Sequence, residues 1–228
     1  MAVRANLLLL SIFKYSILDE HLETLLEGQR IGLVSAHPDD HLVHSNALAI
    51  ARKLGLAVYE LTLTRGRAST VNHHADSDFV LQGRREQEGI QAALALGIQS
   101  NEHWDVADGF VPGEQTRLVP RVRSWMEYRA LDAVLTLGGV TDHTDHIASG
   151  HIARTASHQL GVVALELQLD GRGEWHAPTL KSAQEVAMDA ALVHVSQFTK
   201  DSLEASLGQY PIWRDATYVL HTASDLIY

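Results

Sequence analysis

Short, nearly continuous apolar runs alternate along this chain with longer amphipathic segments, and that alternation most narrows its fold. Strands apolar on both faces belong inside a parallel sheet, and the segments between them then cross over as helices. Ile31 to Ser35 is the first such strand; Leu42 to Leu54 reads as a helix stopped by Gly55, and Ala57 to Thr64 as the second strand. Arg84 to Leu96 has helical periodicity and ends on Gly97, and Val119 to Arg129 predicts a further helix. Ala133 to Leu137 is a buried strand before the turn Gly138-Gly139, with a helix over His146 to Gln159 after it. Val162 to Leu169 predicts a strand, Ser182 to Thr199 a long helix and Thr217 to Thr222 a closing strand. Arg65 to Asp78 reads as a polar loop and Gly171 to Pro178 as a surface hairpin, loop or substrate flap. The expected architecture is α/β, a Rossmann-like three-layer sandwich with a mostly parallel central sheet.

With 46% hydrophobic residues, residues 1–228 can bury one large core, residues 1–30 forming an amino-terminal helical extension. A formal charge of −10 argues against a nucleic-acid backbone or an anionic membrane as the main partner. The absence of cysteine excludes disulfides, thiolate metal sites and cysteine nucleophiles. Arg4 ahead of Leu7 to Phe13 imitates a signal peptide, but the apolar segment is too short to span a bilayer. Lys14 interrupts it and no small-residue cleavage pattern follows closely, so it reads as a packing helix of a cytoplasmic protein.

Two polar segments follow apolar strands in the same way: Ser35-Ala36-His37-Pro38-Asp39-Asp40 and Asp142-His143-Thr144-Asp145-His146. Strand ends at one edge of an α/β sheet are where ligands bind, and these two can converge. His37, Asp40 and His146 would give an ion three nitrogen or oxygen ligands and leave a position for water, whose pKa the ion lowers to about 7. His41 and His44 share a helical face and offer a second combination with His37 and Asp40. Taken singly, the first segment can instead be a helix-capping turn and the second a surface helix start. Most of the fourteen histidines read as surface residues.

Ala36-His37-Pro38-Asp39-Asp40-His41 and His143-Thr144-Asp145-His146 resemble the signature of the PIG-L (LmbE-like) N-acetylglucosaminyl deacetylase family, Ala-His-Pro-Asp-Asp-Glu followed by His-Pro-Asp-His. Thr62-Leu63-Thr64-Arg65-Gly66, Arg85 with Glu88 and Leu96-Gly97, Asp108-Gly109 and His194-Val195-Ser196-Gln197 extend the resemblance over roughly residues 31 to 198. It implies a zinc-dependent N-deacetylase acting on a small N-acetylated amino sugar or related amide, with ferrous iron undistinguished from zinc by this donor set. Asp39 would then be the general base, while His143, as a cation, would stabilise the oxyanion and protonate the departing amine. Asp145 would orient His143 and raise its pKa, and Arg85 and Asp108 would contact substrate.

The sequence departs from the signature at His41, where the family has an acid, at His44-Ser45-Asn46, where it has a small, glycine-rich helix start, and at Thr144, where it has proline. Arg85 and Glu88 can equally be a solvated helical ion pair, and Asp108-Gly109 a turn. His73-His74 and Asp76 form a lid or an exposed loop, and Trp175 and Trp213 are sugar platforms or packing residues. A metallohydrolase of a non-sugar amide is the alternative enzyme, and a metal-binding or ligand-binding protein without turnover the alternative to an enzyme. Asp39 and His143 speak against the latter, since binding needs neither base nor acid. Oligomeric state is left open, a homo-oligomer included.

Overall fold

The computed structural model describes residues 20–21, 26–69, 74, 77–137, 143–168, 175–177, 187, 189–194 and 216–221. Among the described residues eight strands share one sheet: β1 (Glu20–His21), β2 (Ile31–Ser35), β3 (Val58–Thr64), β4 (Ser100–Val106), β5 (Ala133–Leu137), β6 (Val163–Gln168), β7 (Trp175–Ala177) and β8 (Ala216–His221). Their spatial order is β1-β7-β8-β6-β5-β2-β3-β4. The five from β6 to β4 are all parallel, while β8 runs antiparallel to both β6 and β7. Among the described residues the helices that accompany them include α1 (Ser45–Lys53), α2 (Asp78–Ala95), α3 (Gln115–Arg129) and α4 (Thr144–Leu160).

Alternation along the buried strands explains the layers. Ile31, Leu33 and Leu135 join one core with Leu48 and Ile50 of α1 and Ala92 of α2. Val34 and Val134 point to the opposite face and pack with Val122 and Met126 of α3 and Ile152 of α4. Helices therefore cover both faces, as a Rossmann-like sandwich requires. The chain proceeds from β2 outward to β3 and β4, then returns to β5 on the other side of β2. The carboxyl ends of β2 and β5 consequently flank a topological switch point, where connections leave in opposite directions and open a crevice.

Several boundaries differ from expectation. The segment after β2 begins as a 3-10 turn over Asp40–His44, so α1 starts at Ser45 rather than Leu42. α2 starts at Asp78 rather than Arg84 and takes in the end of the expected polar loop. β4 was not anticipated: it is a polar edge strand, its residues mostly only half buried. Gly171 to Pro178 contains β7, hydrogen-bonded to β8, and the expected helical extension 1–30 contains β1. Residues 1–19 and 22–25, the turn Gly138-Gly139, His73, Asp76, Asp142, Trp213 and most of Ser182 to Thr199 lie outside the described residues. Among the described residues no helix is long and apolar enough to cross a membrane.

Candidate metal centre

Asp40 is fixed by the backbone of its own turn. The N–H groups of Ala36 and His37 donate to its Oδ2 at 2.8 and 3.0 Å, which aims Oδ1 outward, 3.1 Å from His146 Nε2 and 3.8 Å from His37 Nδ1. His37 Nδ1 in turn lies 3.0 Å from His146 Nε2. An ion with tetrahedral ligands at about 2.0 Å sets its donors about 3.3 Å apart, so these three atoms fit one divalent cation. His37, in the turn after β2, and His146, at the start of α4, are 109 residues apart and are joined by the adjacency of β2 and β5.

The other nitrogen of His37 is held as well. Its Nε2 is 3.0 Å from Asp108 Oδ1 and 3.4 Å from Asp145 Oδ2. A carboxylate on the far nitrogen of a metal-binding imidazole orients the ring and selects the Nδ1 lone pair for the ion. His37, Asp108 and Asp145 by themselves also make a potential donor group, as do His37, His143 and His146. Asp108 already accepts from Ala68 N–H at 2.9 Å, and Asp145 from the N–H groups of Gly109 and Val111 at 2.7 and 3.2 Å. Those bonds suit supporting carboxylates better than ligands.

Electrostatics point the same way. Burial disfavours a charged His37, yet Asp108, Asp145 and Asp40 outweigh it and push its pKa up to about 12. Burial also opposes ionisation of Asp40, but His146 and His37 hold it well below the usual carboxylate range. Asp108, raised by burial, is brought down to about 2 by the His37 ring. The carboxylates thus stabilise positive charge at one point, which a divalent ion supplies in place of the imidazolium proton.

Asp39 faces elsewhere. Its Oδ1 accepts from Arg85 Nη2 at 2.8 Å, and Arg85 Nη1 donates to the Gly66 carbonyl at 2.6 Å. Burial raises the Asp39 pKa, but the Arg85 charge prevails and holds the group ionised. Arg85 and Glu88 are 3% and 6% exposed, so they are not the solvated surface pair weighed from the sequence. The Arg85 head is occupied by Asp39 and Gly66, and no substrate contact is needed to explain its burial.

His143 is the amino-terminal cap of α4, its Nδ1 accepting from Asp145 N–H at 3.3 Å, and its exposed ring lies 4.7 Å from those of both His37 and His146. The expected upward shift of its pKa is reversed: burial, then the neighbouring His37 and His146, lower it, outweighing Asp145. The Asp145 carboxylate accepts from the loop at Gly109 and Val111, and what it gives His143 is its backbone N–H. His41 and His44 are buried, and His41 has its Nδ1 3.1 Å from a Glu60 oxygen. Burial pushes His44 down to about 3, keeping it neutral.

Sequence reasoning missed three supports. Thr64, at the end of β3, donates through N–H and Oγ1 to the Ala36 carbonyl at 3.0 and 2.8 Å. Gly89 of α2 leaves room for Pro38, since a Cβ there would lie 2.9 Å from both the Pro38 carbonyl oxygen and its Cβ. Glu60, a charge inside the apolar run of β3, carried its own signal and lies under the turn, 2.7 Å from Ser35 Oγ.

A doubly wound sheet with a His/Asp cluster at its switch point defines an α/β protein with a candidate metal centre. The chain belongs to the PIG-L family, described as GlcNAc-PI de-N-acetylase, whose profile matches residues 33–157, more than half of its length. No curated protein matches it in sequence. Among solved structures it is similar to N,N'-diacetylchitobiose deacetylase from Pyrococcus horikoshii, with TM-score 0.73 and 16% identity over 86% of this chain and 84% of that one. It is also similar to 4-carboxy-2-hydroxymuconate hydratase from Pseudomonas putida, with TM-score 0.67 and 17% identity over 84% and 95%. A zinc-inhibited form of teicoplanin deacetylase matches with TM-score 0.64 and 18% identity over 86% and 99%. At these identities the structural likenesses establish the fold.

Proposed function

We propose that the chain is a metal-dependent N-deacetylase that hydrolyses the acetamide of a small N-acetylated amino sugar or related amide, with zinc or ferrous iron held by His37, Asp40 and His146. The observation that carries the reading is the triangle of His37 Nδ1, Asp40 Oδ1 and His146 Nε2, with sides of 3.0, 3.1 and 3.8 Å. A divalent ion there supplies Lewis acidity and makes water acidic enough to react near neutral pH. Asp39, kept ionised by Arg85, takes a proton from the attacking water. Because that carboxyl is a weak base it is also a ready acid, and it returns the proton to the departing amine. His143 accepts at Nδ1 in capping α4, so its Nε2–H is the donor available to the oxyanion. The C–O bond forms, the C–N bond breaks, and acetate and a free amine leave.

Family membership and the deacetylase activities of two structural relatives support an acetamide substrate. The hydratase relative carries a different reaction on the same fold, so the site must decide the chemistry. The test is metal analysis of the purified protein together with acetate detection over a panel of N-acetylated sugars and non-sugar amides, each run with zinc and with ferrous iron under anaerobic conditions. One bound ion per chain and acetate release from at least one sugar are expected. A fully metal-loaded chain that releases acetate from none of the panel would overturn the reading.

A further inference from the structure

The turn that carries Asp39 and Asp40 continues into a side chain buried on the opposite side. His41 is 0% exposed, with Nδ1 3.1 and 3.3 Å from the two oxygens of Glu60 and Nε2 3.4 Å from Nε2 of His194, itself 0% exposed. Glu60 is also fully buried, midway along β3 in the parallel sheet. Ser35 Oγ of β2 donates to one of its oxygens at 2.7 Å, and Asn101 Nδ2 of β4 donates to the other. A carboxylate in such a place is costly, and a well-packed apolar residue of similar volume is often as stable or more so. The arrangement therefore asks for a role other than stability.

What these contacts join is specific. The chain enters the 3-10 turn Asp40–His44 through backbone bonds from Asp40 N–H to the His37 carbonyl at 3.2 Å and from Leu42 N–H to the Asp39 carbonyl at 3.1 Å. His41, one residue beyond Asp40, ties that turn to β3 through Glu60 and to His194, 153 residues further along the chain. We propose that Glu60, His41 and His194 form a positioning relay that sets Asp39 and Asp40 relative to His37 and His146; the proposal rests on the reading of those residues as base and ligands. The relay touches no substrate, and it acts by fixing where the Asp40 oxygen points. Breaking it lets the turn shift and the donor triangle lose its shape.

The test measures cobalt(II) binding to the full chain, by chelator competition and by visible absorption, for wild type, His41→Ala, Glu60→Gln and the double variant. Each single variant should bind cobalt(II) at least tenfold more weakly with an altered spectrum, and the double variant should be no worse than the weaker single one, since the residues act as one unit. Measurements well below the melting temperature separate positioning from stability, because a merely structural role lowers melting without changing the spectrum. If the Glu60 variant does not fold, His194→Gln tests the far end of the relay and should weaken binding and alter the spectrum in the same direction. Variants that fold and bind cobalt(II) with wild-type affinity and spectrum would overturn the proposal alone. A wild-type chain that binds no cobalt(II) would overturn the metal-centre reading and the proposal with it.

Discussion

Asp39 and Asp40 are adjacent, yet their surroundings differ, and the proposed mechanism gives them different tasks. Asp40 has one oxygen spent on two backbone N–H groups and the other facing two histidines, while Asp39 is turned to the Arg85 guanidinium. A ligand needs a fixed lone pair, and a base needs an ionised oxygen beside the ion but not on it. Replacing Asp39 with asparagine should therefore leave metal content unchanged while slowing acetate release about a hundredfold or more, the scale of a general base. Metal analysis and initial rates on one preparation check this, and unchanged turnover would remove Asp39 from the mechanism. Within a single turn these differences follow from chain order, so His37, Asp39 and Asp40 stood out in the sequence. Arg85 and Asp108 stood out only as substrate contacts implied by the resemblance, and their pairing with Asp39 and His37 was not legible: Arg85 lies 46 residues beyond Asp39 and Asp108 lies 71 beyond His37, and nothing local links them.

α2 shows how an element serves the site without contributing a ligand. Its two internal glycines look alike in sequence but not in their surroundings: a Cβ at Gly83 meets nothing within 4 Å, whereas one at Gly89 comes to 2.9 Å from the Pro38 carbonyl oxygen. Gly-to-Ala in a helix interior gains about 1 kcal/mol from propensity, and overpacking costs about 1–3 kcal/mol. Gly83→Ala should accordingly raise the melting temperature. Gly89→Ala should lower it and weaken metal binding, because Pro38 sits between His37 and Asp39. Thermal melts of the two variants check the pair, and a stabilised Gly89→Ala would show that the turn has room to move. Strands such as β2 and β5, buried along their whole length, were legible because every residue is apolar or small. β4 was not, because an edge strand needs only half-burial and Ser100–Val106 keeps its polar side chains. α2 was clear where Arg84 to Leu96 is periodic, but its first turn begins in residues that read as loop.

At the scale of the molecule, strand order does what no segment does alone. β2 and β5 pair in parallel, so the turn after β2 and the start of α4 after β5 meet, and the loop after β4 brings in Asp108 from the third side. A mostly parallel sheet was expected, but neither β4 nor the strand order was legible, since periodicity reports burial and not neighbours. An ion in this crevice would tie together parts of the sheet that the chain itself joins only through long crossovers. Its binding free energy is therefore added to the stability of the whole fold. At a free-ion concentration a hundred times Kd the gain is about 2.7 kcal/mol, which for a domain of this size raises melting by roughly 5–10 °C. Asp40, Asp108 and Asp145 still face His37 when the ion is removed, so their charges keep a partner and the chelated chain should stay folded. Calorimetry after chelation should thus show one cooperative transition at lower temperature, restored by added zinc or ferrous iron and not by magnesium, which prefers oxygen ligands. Melting indifferent to chelator and to both ions would mean that the triangle at the switch point holds no metal, and the deacetylase reading would fall with it.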